Sequence, residues 1–319
     1  MLGLDGYLTV GAQRMACRAG VRQSFGLAEH LLAELAGWQL DEETIRRLCH
    51  AVAAQATATR EERAPAEKFA AAVGDREVQI DAGKVNTREG WRDVKVAVFA
   101  RRPRGEPACA QEWDQRELPA PTLRSVVAAV EEAELFGGRC AAEAARLGFL
   151  DPRALSVLAD GAEWIWNLAE QRFPGAAQTL DIYHGAEHLA DAARRLFGEG
   201  NPQTQSQGNR ATLRLLEDGY GGVMEWVGEI SGQFPAGGDG ASLGSTLNYF
   251  AGHQERLPYA LRLRRDQSIG SGMVEGSIKQ LLNRRLKQTG ARWKTEHVGP
   301  FVELHALANG PEWNAYWNN

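Results

Sequence analysis

The chain has 319 residues, 44% hydrophobic and 24% charged, which is enough apolar material for one sizeable core or two smaller ones and excludes a largely disordered chain. No uninterrupted apolar stretch approaches the roughly 20 residues needed to span a bilayer, and the opening MLGLDGYLTVGAQR lacks the basic-then-apolar order of a signal peptide, so a cytoplasmic protein with no membrane partner is expected. The net charge of -5 weighs mildly against a nucleic-acid partner, and the four cysteines, Cys17, Cys49, Cys109 and Cys140, form no Cys-x-x-Cys pair that would signal a disulfide framework or a cysteine zinc finger.

Helical periodicity dominates up to about Ala72. Leu27, Leu31, Leu32 and Leu35 form one apolar stripe ending at Gly37, a natural stop, and Asp41 is placed to cap a second helix carrying Ile45, Leu48 and Val52. Such a helix, turn, helix unit can enter a DNA groove, although two packed helices are the commoner meaning. The charged stretch around Arg60 to Lys68 reads as a connection. After Gly74 the period becomes alternating. Val78, Ile80 and Asp81 lead through DAGKVNTREG, rich in turn residues, to Trp91, and then Val94, Val96 and Val98 alternate with Lys95, Ala97 and Phe99, which predicts a two-stranded hairpin.

An apolar run follows at 123–130. Next come a helix at 131–146, a short strand at 155–159 ending on Asp160, a helix at 163–172, a strand at 176–180 ending on Asp181 and a helix at 183–197. Hairpin strands followed by strands alternating with helices imply a mixed α+β and α/β arrangement, a sheet covered by helices, with ligands collecting at the carboxyl ends of its strands. From 200 to 265 the pattern is helical around Leu213, Leu216 and Trp226, with a Gly-rich loop at 236–244. The last element, RRDQSIGSGMVEGSIKQLLNRRLKQTGARW, carries a buried stripe of Ile278, Leu281, Leu282 and Leu286, with Glu275 in its first turn. The segments expected are therefore an N-terminal helical region at 1–75, a core in two parts at 76–200 and 266–319, and a helical insertion at 201–265.

Charge is unevenly distributed. Residues 255–294 contain ten basic side chains against three acidic ones, a local net of +7, and residues 84–104 contain seven against two, a local net of +5. Solvated basic faces explain one such run; two of them beside Asp81 and Glu275 point further, towards phosphate.

Asp81, Asp160 and Glu275 are the candidate metal ligands. Converging carboxylates suit hard divalent ions, and two Mg²⁺ ions about 4 Å apart serve phosphodiester cleavage and transfer. Each also has a bland role: Asp81 could begin a hairpin turn, Asp160 could cap its helix with Glu163 in return, and Glu275 could answer the helix dipole. Asp181 could cap the helix that it precedes, and His184 could be a hydrogen-bonded first-turn histidine. Trp164, Trp166 and Trp293 could stack on an unpaired base, though core positions are commoner.

Three blocks, EVQIDAGKVNTREGWRDVKV, VLADGAEWIWNLAEQRFPGAAQTLDIYHGAEHL and IGSGMVEGSIKQLLNRRLKQTGARW, resemble successive blocks of bacterial insertion-sequence transposases of the ISKra type, relatives of the Mutator-like group. The likeness runs from Val78 to Trp293. It implies an RNase H-like core, a mixed five-stranded sheet flanked by helices, with a helical insertion before the last acidic helix. It further implies an Asp81, Asp160, Glu275 triad binding two Mg²⁺ ions, with Mn²⁺ as a substitute, and Asp181 with His184 as an auxiliary D-x-x-H element. The expected activity is DNA cleavage and strand transfer on double-stranded DNA, at element ends and target, by a nucleoid-associated protein that is homo-oligomeric on DNA. Lys279, Arg284, Arg285, Lys287, Arg292 and Lys294 are the expected phosphate contacts. Many members begin with a Cys-rich segment, and the chain starts beyond where that would lie, as a truncated copy would.

Other readings use the same residues. An RNase H-like structure-specific nuclease would share the chemistry, and a transposase-derived DNA-binding protein would lack it. His184, Glu187 and His188 also spell H-x-x-E-H, a zinc metalloprotease pattern that needs a third ligand from Glu217, Glu225 or Glu229.

Overall fold

The computed structural model describes residues 8–63, 71–149, 151–231 and 240–318. Helices α1 (Val10–Arg22), α2 (Phe25–Ala36) and α3 (Glu42–Ala58) open at Thr9, Ser24 and Asp41, whose side-chain oxygens accept first-turn N–H groups from Ala12, Leu27 and Thr44. Gly37 closes α2 in the left-handed region at φ 67°. The expected cap and stop are therefore present. The expected leucine stripe is not: Leu32 is buried with Ala28, but Leu35 is 80% exposed and Leu27 also faces water. α2 lies along α1 and α3 at the rim of the core, so only a narrow strip of it is covered.

Five strands follow: β1 (Asp75–Thr87), β2 (Gly90–Arg102), β3 (Leu123–Ala129), β4 (Leu155–Ala159) and β5 (Ala177–Leu180). They form one sheet in the order β3-β2-β1-β4-β5, in which β2 alone runs against the other four. α4 (Ala133–Arg146), α5 (Glu163–Arg172) and α6 (Ile182–Phe197) pack on one face, where Val78, Ile80, Phe99 and Val157 meet Phe136, Ile165 and Leu189. The other face, with Val94, Val96 and Val98, is covered by α1, α3 and α11 (Thr295–Asn309). The N-terminal helices thus share their core with the sheet. The architecture is mixed α/β, an open five-stranded mixed sheet with helices on both faces.

The hairpin is longer than its composition suggests. DAGKVNT was expected to be turn, yet β1 continues through it to Thr87, and the reversal takes only Arg88 and Glu89 before Gly90 at φ 99°. The reason is burial on one side: Gly83, Val85 and Thr87 alternate inwards opposite Val94, so the polar residues between them occupy the outer face of a continuing strand.

Between α6 and the last acidic helix, the described residues form α7 (Pro202–Ile230), α8 (Gly240–Gly252) and α9 (Tyr259–Arg264). α7 kinks at Asp218 and Gly219. Residues 240–244, expected to be loop, open α8; the rest of that loop, and most of the charged connection after Arg63, lie outside the described residues. Leu215, Trp226, Phe250 and Tyr259 continue the core beneath α6. The last acidic helix is α10 (Gly272–Ser277), which runs on as a π-helical stretch, Ile278–Asn283, and a final turn, Arg284–Leu286, where Lys287 N bonds Leu282 O at 3.3 Å. Ile278, Leu281, Leu282 and Leu286 are buried as expected. α12 (Trp313–Asn318) follows α11.

A buried ionic network ties α3, β3, α4 and α11 together. Glu143, 2% exposed, accepts from Arg60 Nε (2.9 Å), Arg146 Nε (2.8 Å), Arg146 Nη2 (2.8 Å) and Ser125 Oγ. Arg60 also faces Glu303 at 3.3 Å, and Glu303 accepts from Thr57 Oγ1 and Ala128 N.

Candidate active site

Ile80, Ala159 and Leu180 are paired across β1, β4 and β5 and are buried on the same face. Side chains alternate, so the next residue of each strand, Asp81, Asp160 and Asp181, turns to the opposite face at one level, on strands roughly 4.8 Å apart. Asp181 N donates to Ala159 O at 2.8 Å, which carries the alignment one step past the ends of β4 and β5. Asp160 and Asp181 lie at strand ends as anticipated. Asp81 does not, because β1 continues past it.

The three acids have different surroundings. Asp160 accepts one bond, from Ala162 N at 3.0 Å; Ala162, not Asp160, is the N-cap of α5, so the expected capping alternative with Glu163 does not form. Asp181, 1% exposed, is the N-cap of α6 and accepts from Tyr183 N (2.6 Å) and His184 N (3.4 Å), while its other oxygen takes Ser271 N (2.9 Å) and Ser271 Oγ. Its carboxylate is consumed in joining α6 to the start of α10.

Glu275 arrives from α10, which is fixed over β1 at two points. Gln79, fully buried one step before Asp81 on the same face, accepts Met273 N (3.0 Å) and Val274 N (3.1 Å) with its carbonyl and donates to Gly270 O (3.2 Å) with its amide. Gly83, one step after Asp81, lets the helix approach: a Cβ there would meet Leu282 at 2.8 Å and Ile278 at 3.1 Å. Ser271 Oγ lies 3.3 Å from Glu275 Oε1, so one hydroxyl touches both Asp181 and Glu275.

Asp81 reports the convergence. Its carboxyl is pushed up to about 6 by burial, with Asp160 and Glu275 adding to the shift, while the Ala82 N–H and His184 oppose it. Asp81, Asp160, Glu275 and His184 therefore share one electrostatic neighbourhood in which negative charge is under-compensated. Among the described residues, no three His, Cys, Asp or Glu side chains stand close enough to hold one ion as they are placed.

Gln79, Ser271 and Tyr249 were not foreseen. Tyr249 comes from α8, and its ring sits where a Cβ on Gly161 would be only 2.6 Å away, so glycine beside Asp160 admits it. Burial, then the charges of Asp160 and Asp181, raise its phenol. It stacks on His188 at 4.0 Å and meets His253 edge-on at 4.9 Å. His188 is thus committed to an aromatic cluster 5.2 Å from the His184 ring. Glu217, Glu225 and Glu229 face Arg214 on α7, so the three-ligand zinc arrangement of the protease reading does not assemble.

Lys279, Arg284, Lys287, Arg292 and Lys294 are all exposed, as a phosphate-binding row requires. Arg285 is not. It is 3% exposed, donates to Gly20 O at 3.0 and 3.1 Å, and lies over Phe25, Trp293 and Phe301 at 4.7, 5.2 and 5.0 Å. Its guanidinium is a core cation held by rings, which removes it from the expected phosphate contacts. Arg262 is also buried, donating to Ser268 O and Ser156 Oγ, so the basic run is less basic at the surface than in sequence. Trp166 and Trp293 are core residues; Trp164 is half-buried, with Lys95 Nζ 5.4 Å from its ring. No protein-family model and no curated protein matches the chain.

Proposed function

We propose that the protein is a Mg²⁺-dependent transposase, built on an RNase H-like core, that cuts DNA at element ends and joins the 3′-hydroxyl to a target. The observation that carries this reading is the strand register that sets Asp81 and Asp160 side by side on one face, with Glu275 on a helix fixed over β1 by Gln79; Asp81 is held near 6 mainly by burial, with smaller contributions from Asp160 and Glu275. A mixed five-stranded sheet flanked by helices is the form expected of such a core, and the exposed basic row downstream of Glu275 supports a phosphate-bearing partner.

The donor chemistry fits magnesium. All three groups are hard carboxylate oxygens, and Asp160 and Glu275 both raise Asp81 while His184 lowers it. Asp81, Asp160 and Glu275 would hold the metal, which when bound supplies Lewis-acid stabilisation of the phosphorus centre and the leaving oxygen. The chain's other residues serve position: Gln79 fixes α10 over β1, and Asp181 with Ser271 holds the beginning of α6 against Glu275. The attacking oxygen of water or of a 3′-hydroxyl forms the new P–O bond and releases its proton to solvent as the old bond breaks, and the departing oxygen takes a proton from solvent.

Two outcomes are expected. Incubated with element-end DNA and Mg²⁺, the protein yields joined as well as cut product on a sequencing gel; cut product alone returns a nuclease, and neither product defeats the reading. In addition, the folded Asp81 value near 6 exceeds the ordinary carboxylate value of about 3.9, so its contribution to stability is present at low pH and lost as pH rises through 6. Mg²⁺ should therefore raise the melting temperature more at around pH 7.5 than at around pH 5. An equal rise in wild type and Asp160→Asn at both values would separate the metal from this site.

A further inference from the structure

The β1–β2 ribbon overshoots the sheet. β4 pairs with β1 only as far as Ile80, and β3 pairs with β2 only as far as Lys95, so beyond these points the ribbon projects on its own ladder. One face of the projection is covered: Gly83, Val85 and Val94 lie under the α10 segment, and Arg88 N and Asn86 O bond the backbone of Trp293 at 2.8 and 3.1 Å. By alternation, the other face carries Lys84, Asn86, Trp91 and Asp93. It is open, and Trp91 there is 60% exposed.

The surroundings of Trp91 select a partner. Arg88 and Arg92 flank the turn, and the bond to Trp293 brings Arg292 and Lys294 alongside; all four are exposed. Of the nearby acids, Glu89 accepts from Thr295 Oγ1, Glu296 pairs with Lys294 at 3.8 Å, and Asp93 lies across the ladder from Lys84. An exposed indole beside the guanidinium groups of Arg88, Arg92 and Arg292 matches a nucleic acid, whose bases stack on aromatic rings while its phosphates meet cations. Asn86, the cross-strand partner of Trp91, lies five residues along β1 from Asp81, roughly 17 Å, with Trp91 on the face opposite to Asp81.

We infer that the ribbon tip is a DNA contact in which Trp91 stacks on an exposed nucleobase. The inference rests on the transposase reading and adds to it a base-contacting residue. The test is binding of a labelled duplex containing a short single-stranded gap, followed by fluorescence anisotropy with Ca²⁺ in place of Mg²⁺ so that the strands stay whole. Trp91→Ala weakens binding roughly 10- to 100-fold with an unchanged salt slope, whereas Trp91→Phe keeps most of the affinity. Arg88→Ala instead lowers the salt slope by about one. A 2-aminopurine moved along the gap is quenched by wild type at a defined position and not by Trp91→Ala. Wild-type binding and cleavage with an indifferent Trp91→Ala overturns this inference alone; a wild type that binds no DNA overturns the parent reading with it. Since Trp91 is largely in solvent, the variants should melt with the wild type, and that measurement guards against misfolding.

Discussion

Asp160→Asn and Glu275→Gln should each abolish Mg²⁺-dependent cutting and joining while leaving the melting temperature at or slightly above that of the wild type. Removing a carboxylate that would hold the metal withdraws that ion's stabilisation of the phosphoryl transition state, a loss of several kcal/mol, which corresponds to on the order of a thousandfold or more in rate. The fold depends little on either charge. Asp160 makes one hydrogen bond, to Ala162 N, which an asparagine oxygen can still accept, and Glu275 has a single 3.3 Å contact with Ser271. Each neutral variant also relieves repulsion on Asp81, so a small gain in metal-free stability is expected, as is common where function stores strain. Asp181→Asn is the informative contrast: its carboxylate holds two helix starts, so it should lose stability as well as activity. The measurements are a cleavage and strand-transfer gel beside a thermal melt for each variant. Continued Mg²⁺-dependent nicking by Asp160→Asn would end the mechanism.

Glu143→Ala should be the most destabilising of the substitutions considered, by about 3 kcal/mol, because it takes from the buried Arg60 and Arg146 their shared partner and leaves each with one carboxylate, Glu303 and Glu312. Burial pushes the Glu143 carboxyl up, but Arg60 and Arg146 outweigh it and hold the group at about 2. A carboxyl whose folded value lies below its unfolded value of about 4.3 contributes stability above that value and loses it as pH falls towards 2. Urea titrations at neutral pH and at around pH 3 should therefore show the wild-type advantage over Glu143→Ala shrinking on acidification. An advantage that is small at neutral pH, or independent of pH, would mean that the network contributes little. The wide separation of its members in sequence makes it a clasp across the N-terminal helices, the sheet and α11.

Some features were legible because one local signal dominated. The run LSVLA between a polar turn and an acidic residue could only be a short buried strand, and β4 spans Leu155–Ala159 as read; α5 likewise spans Glu163–Arg172. That placed Asp160 at a strand end. The course of β1 was not legible, since DAGKVNT looks like turn unless the burial of Val85 and Thr87 is known. Gln79 and Ser271 were invisible for a related reason: neutral polar residues carry no charge or periodicity to betray that they bond a helix start or a carboxylate in the interior. Arg285 misled because a run of cations reads as surface, whereas the rings of Phe25, Trp293 and Phe301 are scattered along the chain and gather around it only on folding. Tyr249 could not be assigned at all, since its relevance comes from the space at Gly161, some ninety positions earlier.

The π-helical stretch at Ile278–Asn283 lies between Glu275 and most of the cationic row. A wide turn holds one residue more than an α-helical turn, and one residue corresponds to about 100° of rotation. It therefore acts as a phase shifter: relative to the turn that carries Glu275, it swings Arg284 and Lys287 to a bearing that an unbroken helix would not give them. Deleting one residue from this stretch would keep the composition and every charge yet rotate the two functions out of alignment, a geometric lesion that no substitution table would flag.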